Sequence, residues 1–162
     1  MSLNRTQSGF TLLEIMVAIV VLSLGLLGLA GLQAASLRNN QNAYYRGIAT
    51  QQAYDMADRI RANLAGVRAG NYKLVSGIPA DPGCFTTGCP ALDMAVTDLF
   101  QWNTANAALL PEGAGRVECV DGPPTAGCPA TTGTWAFDIT ITWRERTEQG
   151  SPMQTFVTRI AP

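Results

Sequence analysis

Glu14 is an isolated charge in apolar sequence. No other residue from Phe10 to Leu32 is charged. At the centre of a membrane helix such a carboxylate costs about 2.5–3.5 kcal/mol on insertion scales, and less near the interface. It therefore asks for a partner that neutralises it. The four cysteines, Cys84, Cys89, Cys119 and Cys128, are the second set of reactive groups. Their C-x4-C and C-x8-C spacings suit a structural zinc site poorly. In an oxidising compartment they become disulfides, with three connectivities open. Two local bridges, Cys84–Cys89 and Cys119–Cys128, are favoured because both spans lie in Gly/Pro-rich loops, where cross-links replace missing core. Asp55 and Asp58 read as a solvated helix face paired to arginine, not as an acid/base dyad.

Other chemistry is thin. His is absent, which removes Ser-His-Asp and Cys-His catalysis and every histidine metal site. There is no Gly-rich phosphate loop and no metal-ligand cluster. Net charge is −1, so nucleic acid finds no basic excess. Charged residues make up 14%, well below the usual ~25%. The chain reads as a non-enzyme with no cofactor.

The elements that position Glu14 are helical. Phe10 to Leu32 spans about 34 Å as a helix, slightly more than the hydrocarbon core of a bilayer. A secretory signal cut near Gly28-Leu29-Ala30 is one reading, although the run is long for one and Glu14 lies inside it. A plain membrane anchor is another. Arg5 lies before the run and Arg38 and Arg46 after it, so the positive-inside count leaves orientation open. From Gln33 to about Ala65 there is no Pro, and only Gly47 is a weak helix former. Tyr45, Ala49, Ala53, Met56, Ile60 and Leu64 trace one helical face. Asp55 with Arg59, and Asp58 with Arg61, have the spacing of helix ion pairs. Gly66 is a plausible stop. One helix over residues 10–65 would be about 84 Å long.

Beyond Gly66 the composition turns to Gly, Pro, Thr and Cys. Tyr72 to Val75 reads as a short strand and residues 77–90 as loop. Leu92 to Leu110 has apolar helical spacing at Leu92, Val96, Leu99, Trp102 and Leu109 or Leu110, and ends at Pro111 and Gly113. Arg116 to Val120 can be a strand. A loop with Gly122, Pro123, Pro124, Gly127 and Pro129 follows. Trp135, Phe137, Ile139, Ile141 and Trp143 alternate with Ala136, Asp138, Thr140 and Thr142, a strict period of two. After a turn at Gly150-Ser151-Pro152, Gln154 to Ile160 reads as the last strand. Met56, Ile60 and Leu64 are expected to pack on the face of Phe137, Ile139 and Ile141. The fold class is α+β: a long N-terminal helix, about 10–65, with an antiparallel sheet packed on its C-terminal half.

Ser8-Gly9-Phe10-Thr11-Leu12-Leu13-Glu14 resembles the class III signal of type IV pilins and pseudopilins. The resemblance implies that prepilin peptidase cuts between Gly9 and Phe10 and that the new amine of Phe10 is methylated. Glu14 then sits one turn from that amine, and neutralisation between neighbouring subunits would set axial register. Tyr44-Tyr45-Arg46 and Ala53-Tyr54-Asp55-Met56-Ala57-Asp58-Arg59-Ile60-Arg61-Ala62-Asn63 resemble the stalk of minor pilins in that family. Together the matches cover about residues 1–64. They imply a leader at 1–9, a transmembrane and filament-core helix at 10–32, an amphipathic stalk at 33–65 and a periplasmic α+β head at 66–162. The implied location is the inner membrane, with the head in the periplasm, and then the pilus. The implied partners are prepilin peptidase, other minor pilins and the major pilin, with no nucleic acid indicated. The alternatives are a type II secretion pseudopilin and a membrane-anchored periplasmic binding domain that does not polymerise.

Overall fold

In the computed structural model, residues 9–72, 74–84, 88–120, 135–147 and 150–162 are described. Helix α1 runs Leu12–Ala62, with no Pro to interrupt it. The chain divides into two compact units, Met1–Asn40 and Gln41–Pro162. In the first, the apolar side chains of α1 from Leu12 to Leu32 are all exposed. In the second, α1 buries Ala49, Ala53, Met56, Ala57 and Ile60. The small alanines let neighbouring elements approach the helix axis closely, while Met56 and Ile60 fill the space between layers.

The rest of the second unit follows in chain order. Helix α2 is Leu64–Arg68, strand β1 Leu74–Ser76, helix α3 Ala91–Leu109, strand β2 Ala114–Cys119, strand β3 Phe137–Arg144 and strand β4 Met153–Ile160. The four strands form one antiparallel sheet in the order β1-β2-β3-β4. Each strand pairs with the next along the chain, as expected of a meander. The alternation read in β3 decides which face turns inward: Phe137, Ile139, Ile141 and Trp143 are buried, and the residues between them are not. Val117 of β2 and Ile160 of β4 join them. Facing them are the α1 stripe, Val67, Tyr72, and Ala95, Leu99 and Trp102 of α3, all in one core. The architecture is α+β, a long N-terminal helix with an antiparallel sheet on its C-terminal part.

Three expectations are corrected here. The long helix does not run to residue 65, and Gly66 does not end it. Asn63 breaks it, with φ −112° and ψ 58°. Its side chain accepts from the Gly66 N–H at 3.0 Å and donates to the Ala91 carbonyl at 2.9 Å and to the Tyr72 hydroxyl at 3.1 Å. An Asn that caps a new helix and satisfies two further groups offsets the lost helical bonds. Gly66 lies inside α2, where a Cβ would crowd the Asn63 side chain. Beyond that break Leu64 no longer continues the buried stripe. It is 44% exposed, and only Met56 and Ile60 of the expected trio are in the core.

The third correction concerns α3. Leu92 is exposed, Leu110 rather than Leu109 is buried, and Thr97, Asp98, Asn103 and Asn106 are buried as well. These polar groups are structural. Asn103 donates to the Gly77 carbonyl and accepts from the Gly115 N–H, both at 2.7 Å, which ties the helix to the start of β2. Trp102 donates its indole N–H to the Gln52 carbonyl of α1 at 2.8 Å. A Cβ at Gly115 would overlap the Trp102 ring, so β2 can lie this close only with glycine there. The loop expected around Gly122–Pro129 lies outside the described residues.

Candidate functional site: the N-terminal segment and the stalk–head junction

The leader expected at 1–9 lies outside the described residues except for Gly9. Gly9 and Phe10 precede α1, and Phe10 is 81% exposed. Gly9 has no atom within 4 Å of where a Cβ would stand. Thr11 is the residue before the helix. The Glu14 N–H approaches its carbonyl at 3.1 Å and its hydroxyl oxygen at 3.3 Å. Thr11 thus occupies the N-cap position and Glu14 the third helical position, where a carboxylate also meets the positive end of the helix dipole. The role of Thr11 was missed in the sequence reading. Its signal was present, since Thr11-Leu12-Leu13-Glu14 has the spacing of a capping box. The Glu14 carboxylate has no ion pair among the described residues, and its side chain is exposed. Gly9, Phe10, the N-cap and the carboxylate therefore lie within about two turns of one another, on a segment that nothing else in its unit covers.

A network of ionic groups lies in the second unit, where the end of α1 meets α3. Asp55 pairs with Arg59 at 2.8 Å and Asp58 with Arg61 at 3.0 Å, the two helix pairs read from spacing. Arg59 also reaches Asp98 of α3 at 3.4 Å and Gln101 at 2.9 Å. Asp98 accepts a 2.6 Å bond from the buried Tyr72 hydroxyl. Burial pushes the Tyr72 hydroxyl well above its ordinary value, and the bond to Asp98 pushes it further. It stays protonated and acts as a donor. Asp55, Arg59, Asp98, Tyr72 and Asn63 form one chain of hydrogen bonds that fixes the α1–α2 break against α3.

Nearer the start of the second unit, Arg46 makes a two-pronged contact with Glu145, at 2.9 and 3.0 Å. The Glu145 side chain is 2% exposed, while that of Arg46 is 63% exposed. The Trp143 indole donates to the same carboxylate at 3.3 Å. The Arg46 hydrogen bonds hold Glu145 below the usual carboxylate range, against the opposing effect of burial. Glu145 therefore binds fewer protons folded than unfolded through the acidic range. Its contribution is present above the unfolded value and is lost as pH falls through the folded one. The thermal midpoint of the second unit should fall as pH drops below the ordinary carboxylate range. Glu145→Gln should lower the midpoint near neutral pH and flatten its fall in acid, as followed by circular dichroism. An unchanged acid slope in the variant would show that Glu145 is not part of this linkage.

Cys84 and Cys89 are joined by a disulfide across a Cα–Cα distance of 5.2 Å. Cys119, at the end of β2, is also disulfide-bonded. The expected pairing of Cys119 with Cys128 lies outside the described residues. Among the described residues no cluster of His, Cys, Asp and Glu could hold a metal ion.

Comparison with known proteins bears on the first of these regions. Residues 4–30 match the family model of the prokaryotic N-terminal methylation motif. No curated protein and no solved structure matches the chain. The matched segment contains Gly9, Phe10, Thr11 and Glu14. It coincides with the part of α1 that is apolar and long enough to cross a membrane. Such a motif implies processing by prepilin peptidase and pilus-type assembly, and with the apolar helix it fits inner-membrane anchoring with a periplasmic head. The chain carries a prokaryotic N-terminal methylation motif at residues 4–30, which supports a type IV pilin-like or pseudopilin subunit.

Proposed function

We propose that the chain is a minor pilin of the PilV type, also called a type IV pilus modification protein. In this reading it is a structural, non-catalytic subunit that takes part in initiation of the type IV pilus and stands at or near the filament tip. The observation that carries the reading is the methylation motif at residues 4–30 running directly into an exposed apolar helix with a single carboxylate. A segment of that kind can leave lipid only for an equally apolar environment, and a bundle of like helices is one. The stalk string from Tyr44 to Asn63 supports the finer assignment, because its resemblance is to minor pilins. The proposed partners are prepilin peptidase, other minor pilins and the major pilin.

A minor pseudopilin of type II secretion shares the N-terminal segment and is the second reading. A deletion strain separates the two. We expect surface pili to be lost or sharply reduced, export of secreted enzymes to be unchanged, and the full chain supplied in trans to restore pili. Normal pili together with blocked secretion would overturn the minor-pilin assignment in favour of the pseudopilin.

A further inference from the structure

A polar cavity of about 310 Å³ lies within the second unit, where the first turn of α1 in that unit meets the sheet. Gln41, Asn42 and Tyr45 line it from the helix, and Glu112, Arg144 and Arg146 line it from the head. Its size is at the lower end of small-ligand sites. Three observations fix its chemistry.

The first is charge. Arg144 and Glu112 are locked together by two 2.7 Å bonds, and Arg144 spends a further N–H on the Ser151 carbonyl at 2.8 Å. These two charges cancel. Arg146 is exposed and has no ion pair among the described residues, so the lining carries one uncompensated positive charge. The second is placement. The Asn42 amide donates to the Arg146 carbonyl at 3.1 Å, which holds that arginine's backbone beside the helix. The Gln41 amide donates to the Tyr45 hydroxyl oxygen at 2.9 Å, leaving the Tyr45 proton for another acceptor.

The third is strain. Glu112 has φ +52°, the one positive value at a non-glycine position among the described residues. Such a backbone is strained at a residue that carries a side chain. Glu112, the one carboxylate in the lining, is committed to Arg144, and Arg146 is left open.

We propose that this cavity is a carboxylate-binding site, with the Arg146 guanidinium as the charged anchor and the Tyr45 hydroxyl as a second donor. One net positive charge suits one carboxylate, and a guanidinium offers it two parallel bonds. The carboxylate is supplied by an acidic side chain of a protein partner or by a small organic acid. The site lies outside the N-terminal segment, so it stands whether or not the chain is a pilus subunit.

The test uses the full chain in detergent micelles, with arginine Nε–H signals followed by NMR. Glutarate is titrated in one arm and a capped hexaglutamate peptide in the other. We expect saturable shifts at Arg146 in at least one arm. Arg146→Gln should weaken binding at least tenfold and Tyr45→Phe by a few fold, with the circular dichroism spectrum unchanged. Arg68→Gln, at a second exposed arginine with no ion pair among the described residues, should have no effect. Saturation by the peptide alone assigns the site to a protein partner, and saturation by glutarate as well assigns it to free acids. No saturation in either arm, or equal binding by the Arg146→Gln chain, would overturn the proposal.

Discussion

Gly9→Val should leave the leader attached. In the wild-type chain, mass spectrometry of membrane or pilus material should find an N-terminus at Phe10 that carries one methyl group, with Met1 to Gly9 gone. In the variant it should find only the uncut chain. The physical reason lies in the peptidase, not in this protein's fold. No atom lies within 4 Å of the position a Cβ would take at residue 9, so a valine there disturbs nothing in the described structure. A branched side chain would instead crowd a protease site that a bare glycine leaves open. Loss of cleavage would therefore report recognition, because misfolding is not expected. Two outcomes would sink the processing reading. A wild-type terminus at Met1 would mean a plain anchor. A terminus at Gly31 would mean a secretory signal whose apolar run is discarded.

The sequence was legible where local pattern and burial agree. In β3 the period of two puts Phe137, Ile139, Ile141 and Trp143 inward, as the alternation indicates, because a strand with one bulky apolar face has a single low-energy side to bury. Apart from the C-terminal end of α1, the strand and helix ends differ by one or two residues, the usual scatter of such boundaries. The two helix ion pairs, Asp55–Arg59 and Asp58–Arg61, were readable because they depend only on spacing along one helix.

What was not legible depends on partners distant in the chain. Arg46 and Glu145 are 99 positions apart, and nothing near either one announces the other. Asp98 and Asn103 are polar residues on α3 that nothing in the local spacing marks as buried. They are buried because Tyr72, Gly77, Arg59 and Gly115 supply their hydrogen bonds, and those neighbours meet them only once α1, α3 and the sheet have packed together. Hydropathy spacing places Leu99 and Trp102 correctly but misplaces Leu92, which is exposed. Asn63 belongs to the same class. As a residue type it is compatible with a helix interior or a cap. The choice is made by Ala91 and Tyr72, which accept from its amide. Thr11 differs, since its capping role follows from a four-residue pattern.

Glu14→Leu should separate membrane insertion from assembly. Insertion should be unchanged or improved, because the variant removes a carboxylate that costs up to about 2.5–3.5 kcal/mol in the bilayer centre. The helix itself should persist. Leu is as good a helix former as Glu, and Thr11 still caps the first turn. The one local loss is the favourable meeting of a carboxylate with the helix dipole, about 0.3–1 kcal/mol. Incorporation into pili should nevertheless fall by roughly tenfold or more, equivalent to at least about 1.4 kcal/mol of lost coupling between subunits. The Glu14 carboxylate has no ion pair among the described residues, and the amine that cleavage would create at Phe10 of a neighbouring subunit is the proposed partner. Graded substitutions show which property matters. If charge neutralisation carries the effect, Glu14→Gln should be nearly as deficient as Glu14→Leu, and Glu14→Asp should recover part of the activity. The measurement is the amount of the chain in sheared pili relative to its amount in the membrane fraction. A Glu14→Leu chain that enters pili as well as the wild type would show that this carboxylate does not set subunit register, and the apolar surface of the helix would then have to carry assembly alone.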